Sequence, residues 1–360
     1  MFMKKIDYYI LKKFLGTFVL AISLIIFIVI VFDISEKLED FIQKKAPVKA
    51  IIFDYYLNVI PYMVSLFSPL FTFIAVIFFT SRMAGKSEFV ALLSTGSSFN
   101  RLLRPYFFAA CIIALLSLIL NNFIIPIAKK KQTEFEAKYI HNPYYNDKMN
   151  IHMQIEPGTF IYALRYDNGI NVANKFSIEK KDGQRLSFKL TSDEAQWDST
   201  KQHWMIKNYV IKEFGDKLEK MRKGLQLDTV LALHPSDFGK KDYKIETMNY
   251  FELSDFIADE KNKGNSGTEL YEIEKYGRIA YPFATFILTL IGVSLSGRKV
   301  RGGIGIHIGL GLIIGFTFIL FMRVSSTFAI SGSIAPSVAV WIPNVLYAFI
   351  AYYLYKKAPK

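Results

Sequence analysis

Six apolar runs, each too long for an ordinary soluble core, constrain this chain more than any other feature. Phe14 to Phe32 contains no charged residue. At 1.5 Å per helical residue it covers roughly 28 Å, one hydrocarbon thickness. Ile51–Thr80, Tyr106–Ile127, Ile279–Ser296, Ile304–Met322 and Ile334–Tyr355 are the other five. Lipid offers no hydrogen bonds to a bare backbone, so each run is expected to be a helix. A cleavable signal peptide is the alternative for the first run. It is long for one, and Phe32-Asp33-Ile34 offers no small-residue cleavage site, so a retained span is expected. Pro61 and Pro69 predict a tilted or kinked second helix, and Pro126 predicts the end of the third.

Between the third and fourth runs the pattern changes. Ala128 to Leu270 has nearly balanced charge and nothing long and apolar enough to span. Thr159–Leu164, Leu186–Leu190 and Trp204–Ile211 alternate with Asp167-Asn168-Gly169, Lys181-Asp182-Gly183 and Asp198-Ser199-Thr200-Lys201. Short period-two stretches between Asp-Gly-type turns predict antiparallel strands, and hence a small β-sandwich or jelly roll. Asn249–Lys261 reads as a helix and Gly264–Gly267 as a turn. The expected organisation is three spans over 1–127, a β domain over 128–270, and three spans over 271–360.

Orientation follows from charge. The net charge of +13 could suggest nucleic acid, but nearly all of it sits in residues 1–13, 81–104, 297–302 and 356–360. These pieces fall on one side if both termini face the cytoplasm, as the positive-inside rule requires. The β domain and Asp33–Lys49, a charged loop of both signs, then lie across the membrane. A nucleic-acid partner has little charge left to explain.

Ser81–Pro105 is the longest of the basic pieces between spans. Lys86–Gly96 reads as a short helix within it, with Phe89, Leu92 and Leu93 on one face at i, i+3 and i+4. Ser87 suits its start, Glu88 its first turn, Gly96 its end, and Ser97 or Ser98 the cap of the next helix. Such a helix is either a plain interfacial connector or a handle for a soluble partner. Glu88 is the only acid there, among Arg82, Lys86, Arg101 and Arg104.

Other chemistry is sparse. Cys111 is the only cysteine, which excludes an internal disulfide and a cysteine metal cluster. His141, His152, His203, His234 and His307 lack ligand spacing, so no metal site is expected. His307 stands in the fifth span about one turn from its start, where it can reach the interface. Gly292–Lys299 (GVSLSGRK) has Arg298 and Lys299 where a phosphate loop needs Lys then Ser or Thr, so it is read as a helix end with a basic anchor. Gly305 and Gly309, then Gly311 and Gly315, are pairs four apart that would let another helix approach closely. Lys37, Lys44 and Lys45, near the outer mouth of the first span, could meet an anionic headgroup or simply be solvated.

Three segments carry a family resemblance: GKSEFVALLSTGSSFNRLLRP after the second span, GRKVRGGIGIHIGLGLIIGF across the fourth and fifth, and PSVAVWIPNVLYAFIAYYLYKK at the end. In these, and in its order of spans and β domain, the chain resembles the LptF/LptG family, permease subunits of the lipopolysaccharide exporter. The resemblance implies an α-helical membrane protein of the bacterial inner membrane, with six transmembrane helices and an inserted periplasmic β-jelly-roll domain. It implies pairing with a second homologous permease and docking of a cytoplasmic ABC ATPase dimer. ATP and Mg would be bound by that partner, with no cofactor in this chain. Single-pass and periplasmic jelly-roll partners would continue the path of lipopolysaccharide outward. The resemblance makes 86–96 the coupling helix, with Glu88 as the glutamate that contacts the ATPase beside Phe89, Leu92 and Leu93. It makes Lys37, Lys44 and Lys45 candidates for holding lipopolysaccharide, although the loop does not match residue for residue. A membrane-anchored scaffold or sensor with a ligand-binding β domain is the rival from another class.

Overall fold

The computed structural model describes residues 4–140, 149–215, 219–238, 245–265, 267–297 and 303–358. His141, Lys360 and the basic connector at 298–302 lie outside these. The chain divides into a helical unit, Met1–Phe135 with Glu269–Lys360, and a β unit, Glu136–Thr268. The division differs from the sequence expectation of 128 and 270, and its first boundary falls within a helix.

The first span belongs to α1 (Lys5–Gln43), which runs well beyond Phe32. The expectation of a loop from Asp33 is therefore corrected. Two pairs at i, i+4 sustain the extra turns: Lys37 Nζ to Asp33 Oδ1 at 2.7 Å, and Gln43 Nε2 to Glu39 Oε1 at 2.8 Å. The second span opens with a π-helical turn, Ile51–Tyr56, and continues as α2 (Leu57–Gly85) through Pro61 and Pro69. The wide turn displaces carbonyls from the α pattern, and Asn58 Nδ2 donates to two of them, Phe53 O and Asp54 O, each at 2.9 Å. The connector holds the short α3 (Glu88–Ser94).

The third span runs as α4 (Phe99–Ile119), a second π turn (Leu120–Ile124) and α5 (Ile125–Tyr139). Pro126 thus begins a helical segment and does not end one. Its missing N–H sits where the helix restarts, and Asn121 and Asn122 donate to Ser117 O and Leu118 O at 2.9 and 2.8 Å.

The β unit contains β1 (Ile151–Glu156), β2 (Thr159–Ala163), β3 (Arg165–Asp167), β4 (Val172–Asn174), β5 (Ser177–Asp182), β6 (Arg185–Asp198), β7 (His203–Phe214) and β8 (Glu219–Thr229). All pairings are antiparallel within one eight-stranded sheet. The long β6 pairs β7 along one edge and passes from β5 to β4 along the other. Inward residues Ile161, Tyr166, Phe176, Ile178, Trp204 and Phe238 form its core. Trp204 is fully buried and donates its Nε1–H to Leu233 O at 2.8 Å. The β6–β7 turn is closed by Asp198, whose carboxylate accepts the N–H groups of Lys201 and Thr200. These bonds hold its carboxyl below the usual range. The sequence reading missed β8, an edge strand that carries polar residues on both faces. After it, α6 (Tyr250–Asn262) starts at an Asn249–Glu252 capping box.

Three further spans complete the helical unit: α7 (Thr268–Ser296), α8 (Gly303–Ile330), and α9 (Ile342–Lys357), which follows a short turn at Pro336–Ala339. Among the described residues six helices are thus long and apolar enough to cross a membrane. Two apolar clusters hold the unit. Phe14, Phe18, Val76, Phe79 and Tyr106 join α1, α2 and α4, whereas Phe73, Ile77, Leu288, Phe318 and Tyr347 join α2, α7, α8 and α9. Hence α2 is the helix on which both halves pack.

Candidate functional site

The connector is built from the inside outward. Ser87 takes a left-handed conformation at φ 60° and its side chain makes no cap hydrogen bond, contrary to the expected capping role. Its backbone breaks the chain between α2 and α3. Gly96, at φ +81°, provides the expected left-handed stop. Ser98 then caps α4, accepting from Arg101 N at 3.3 Å.

Phe89 is 1% exposed and belongs to the cluster of Met83, Ala84, Phe99 and Leu102. Its ring meets Phe99 edge-on, with centroids 6.3 Å apart. A Cβ on Gly297 would stand 3.1 Å from the Phe89 ring, so glycine is what lets the end of α7 come this close. Leu92 and Leu93 pack half-buried on the same core. The apolar stripe of α3 therefore faces this chain's own helices. Val90, Ala91 and Ser94 form the exposed face. Glu88 lies between, half-buried, with Tyr9 Oη donating to its Oε2 at a long 3.4 Å.

A second lock stands beside it. Asp7 is 4% exposed and takes both arms of Arg101, at 2.7 and 2.5 Å, together with the backbone N–H of Lys4 at 2.8 Å. This bidentate pair ties the start of α1 to the start of α4. Tyr355 donates to Asn100 Oδ1 at 2.5 Å and packs its ring 6.0 Å from Phe99, adding α9. Sequence reasoning counted Asp7 and Arg101 as separate flanking charges. The available signal was that Asp7 and Glu88 are the only two acids in the basic pieces that fall together on one side.

At the opposite end of α1, Lys37 is half-buried. It bonds Asp33 and the Tyr55 hydroxyl, with its Nζ 4.7 Å from the Tyr55 ring centroid. Tyr56 Oη donates to Asp33 Oδ2 at 3.0 Å. Beside these polar groups Phe41 meets Tyr55 and Phe135 edge-on and Tyr55 lies tilted against Phe135, with ring centroids 5.3–6.1 Å apart. Lys44 and Lys45 stand exposed past the helix end, Lys45 at φ 51°. The structure thus separates the three lysines into one held within the chain and two at the surface.

The glycine pairs also part. A Cβ on Gly311 would run into Ile77 Cδ1, and one on Gly315 would stand 2.7 Å from Leu70 Cδ1, so this pair is a packing seam between α8 and α2. Gly305 and Gly309 meet nothing within 4 Å. His307 lies 5% exposed in the same helix, buried where the sequence allowed it the interface. Among the described residues no group of three or more His, Cys, Asp or Glu is placed to hold a metal.

A search of curated proteins finds no match. The family model described as lipopolysaccharide export system permease LptF/LptG matches residues 8–357, from the first turn of α1 to the last residue of α9, and the chain belongs to that family.

Proposed function

We propose that this chain is one permease subunit of an ABC-type exporter that draws lipopolysaccharide from the inner membrane, powered by a separate ATPase dimer. The family match over 8–357 is the observation that carries this reading. A second homologous permease completes the cavity; α1 and α8 are the spans least covered by their own chain and the ones free to face it. The β unit, in which β8 pairs only with β7 among the described residues, continues the path on the periplasmic side toward single-pass and soluble partners of like fold. Both termini and the connector face the cytoplasm, in keeping with their basic excess. ATP and Mg bind the partner.

The burial of Phe89, Leu92 and Leu93 sharpens the coupling role. Phe89 transmits motion by being clamped between Met83, Phe99 and Gly297, while Glu88, Val90, Ala91 and Ser94 present the docking surface. A charge-assisted bond from Glu88 to a cation of the ATPase fits this geometry, since its bond within the chain is long. Glu88→Lys would set like charges against each other, at a cost of several kcal/mol to docking, while the helix end itself loses only about 0.3–1 kcal/mol. The permease pair and ATPase are reconstituted, and assembly and lipid transfer are measured. The variant is expected to assemble poorly and transfer little. Wild-type assembly and transfer would leave Glu88 as a helix-end residue, and absence of any ATPase on co-purification would favour the scaffold.

A further inference from the structure

We propose that a groove between α4, α7 and α9, at the connector end of the helical unit, is a binding site for an anionic glycerophospholipid. Its walls are Leu103, Phe107 and Phe108 from α4, Leu290 from α7 and Tyr352 from α9, and it is an open groove of about 480 Å³. Asn100 and Tyr355, bonded to each other, close its connector end.

The two helices that flank the groove run in opposite senses yet arrange their side chains alike. On α4, Arg104 is followed at i+3 and i+4 by Phe107 and Phe108, all three exposed. On α9, exposed Tyr352 is followed at i+4 by Lys356, whose Nζ stands 4.9 Å from the Tyr352 ring centroid. Both helices thus place a cation toward the connector and aromatic carbon deeper in the span. Among the described residues that line it stand the cation Arg104 and no acid. A molecule matching this pattern has a negative headgroup at the interface and hydrocarbon below it, which describes an anionic phospholipid. Arg104 lines the groove itself, and Lys356 stands over Tyr352 on its α9 wall. The occupant would lie against Tyr355 and Asn100, beside the ring of Phe99 that supports Phe89. This places a structural lipid next to the connector, at the opposite end of the helices from Lys44 and Lys45. The inference rests on the membrane-spanning reading of α4 and α9 and is independent of what the protein transports.

The test uses the full chain in bilayers of phosphatidylethanolamine and phosphatidylglycerol. The chain is extracted in mild detergent and the retained lipid is counted by native mass spectrometry. Wild type should retain phosphatidylglycerol well above its bulk share. Arg104→Gln with Lys356→Gln should reduce that retention roughly tenfold or more. Lys356→Gln alone, at an exposed position that cannot affect folding through the core, should reduce it in the same direction, and Leu103→Trp should reduce it by filling the groove. Lys212→Gln, at an exposed position of the β unit, should leave it unchanged. Retention at the bulk ratio in wild type, or wild-type retention in Lys356→Gln and Leu103→Trp, overturns the site. Displacement of the phosphatidylglycerol by added lipopolysaccharide would also overturn it, since the groove would then belong to the transport path. Failure of the export reading would leave these results as they are.

Discussion

The two ends of α1 are fastened in opposite ways. At the connector end a carboxylate is nearly removed from water and neutralised by an arginine 94 positions away. At the other end Asp33 meets its lysine four positions on, with a quarter of its side chain exposed, and the holding is done by Phe41, Tyr55 and Phe135. Charge is part of the joint at the first end and sits on its rim at the second. Polar substitutions should therefore destabilise the first end strongly and the second only slightly.

The largest effect should come from removing one partner of the buried pair. Asp7→Asn leaves Arg101 facing a neutral amide and should cost about 2–4 kcal/mol; the partial exposure of Arg101 favours the lower part of that range. Asp33→Asn should cost about 1 kcal/mol or less. Denaturant titration of both variants in the same detergent measures the difference. Equal losses would dissolve the contrast, and recovery of stability by Asp7→Arg with Arg101→Asp would sharpen it.

A smaller effect probes the same contrast within one helix. Gly311→Leu forces a side chain against Ile77 and should cost about 1–3 kcal/mol, while Gly305→Leu enters open space and should leave the subunit's own stability unchanged. Thermal unfolding of the purified chain distinguishes them. If Gly305→Leu instead blocks association with a second permease, the open pair is an interface between subunits.

The smallest expected change in stability, with a readable change in binding, lies at Lys44 and Lys45. Reversing both to Glu should weaken retention of purified lipopolysaccharide about tenfold, with unchanged unfolding. Lys37→Gln should instead lower stability slightly, because Lys37 already bonds Asp33 and Tyr55. Unchanged lipopolysaccharide retention in the double reversal removes both lysines from the site.

The spans were legible because length and apolarity are properties of a single segment. Their ends were not. Asp33–Gln43 reads as a loop until its i, i+4 partners are seen, and Pro126 reads as a stop until the π turn before it supplies a fresh start. The inward face of α3 was legible as a stripe of Phe89, Leu92 and Leu93, but nothing local says whether a stripe meets its own chain or another. Asp7–Arg101 was hidden by sequence distance. In the β unit β6 and β7 showed their alternation, whereas β8, at the end of the sheet, shows none to read.

The two wide turns have a consequence in rotation. Each residue of an α-helix advances its side chain by about 100°. A π turn holds an extra residue, so the faces before and after it point in directions that one unbroken spiral could not reconcile. Ser117 and Leu116 obey one angular register, and Phe135 another. Deleting one residue from Leu120–Ile124 would let the wide turn close to the α pattern and leave Phe135 against Phe41 and Tyr55, whereas deleting one from the α-helical stretch 127–132 would swing Phe135 by about that angle, away from them. The span would keep its length and its oiliness, and a hydropathy plot would record no change, but the aromatic joint at its far end would come apart.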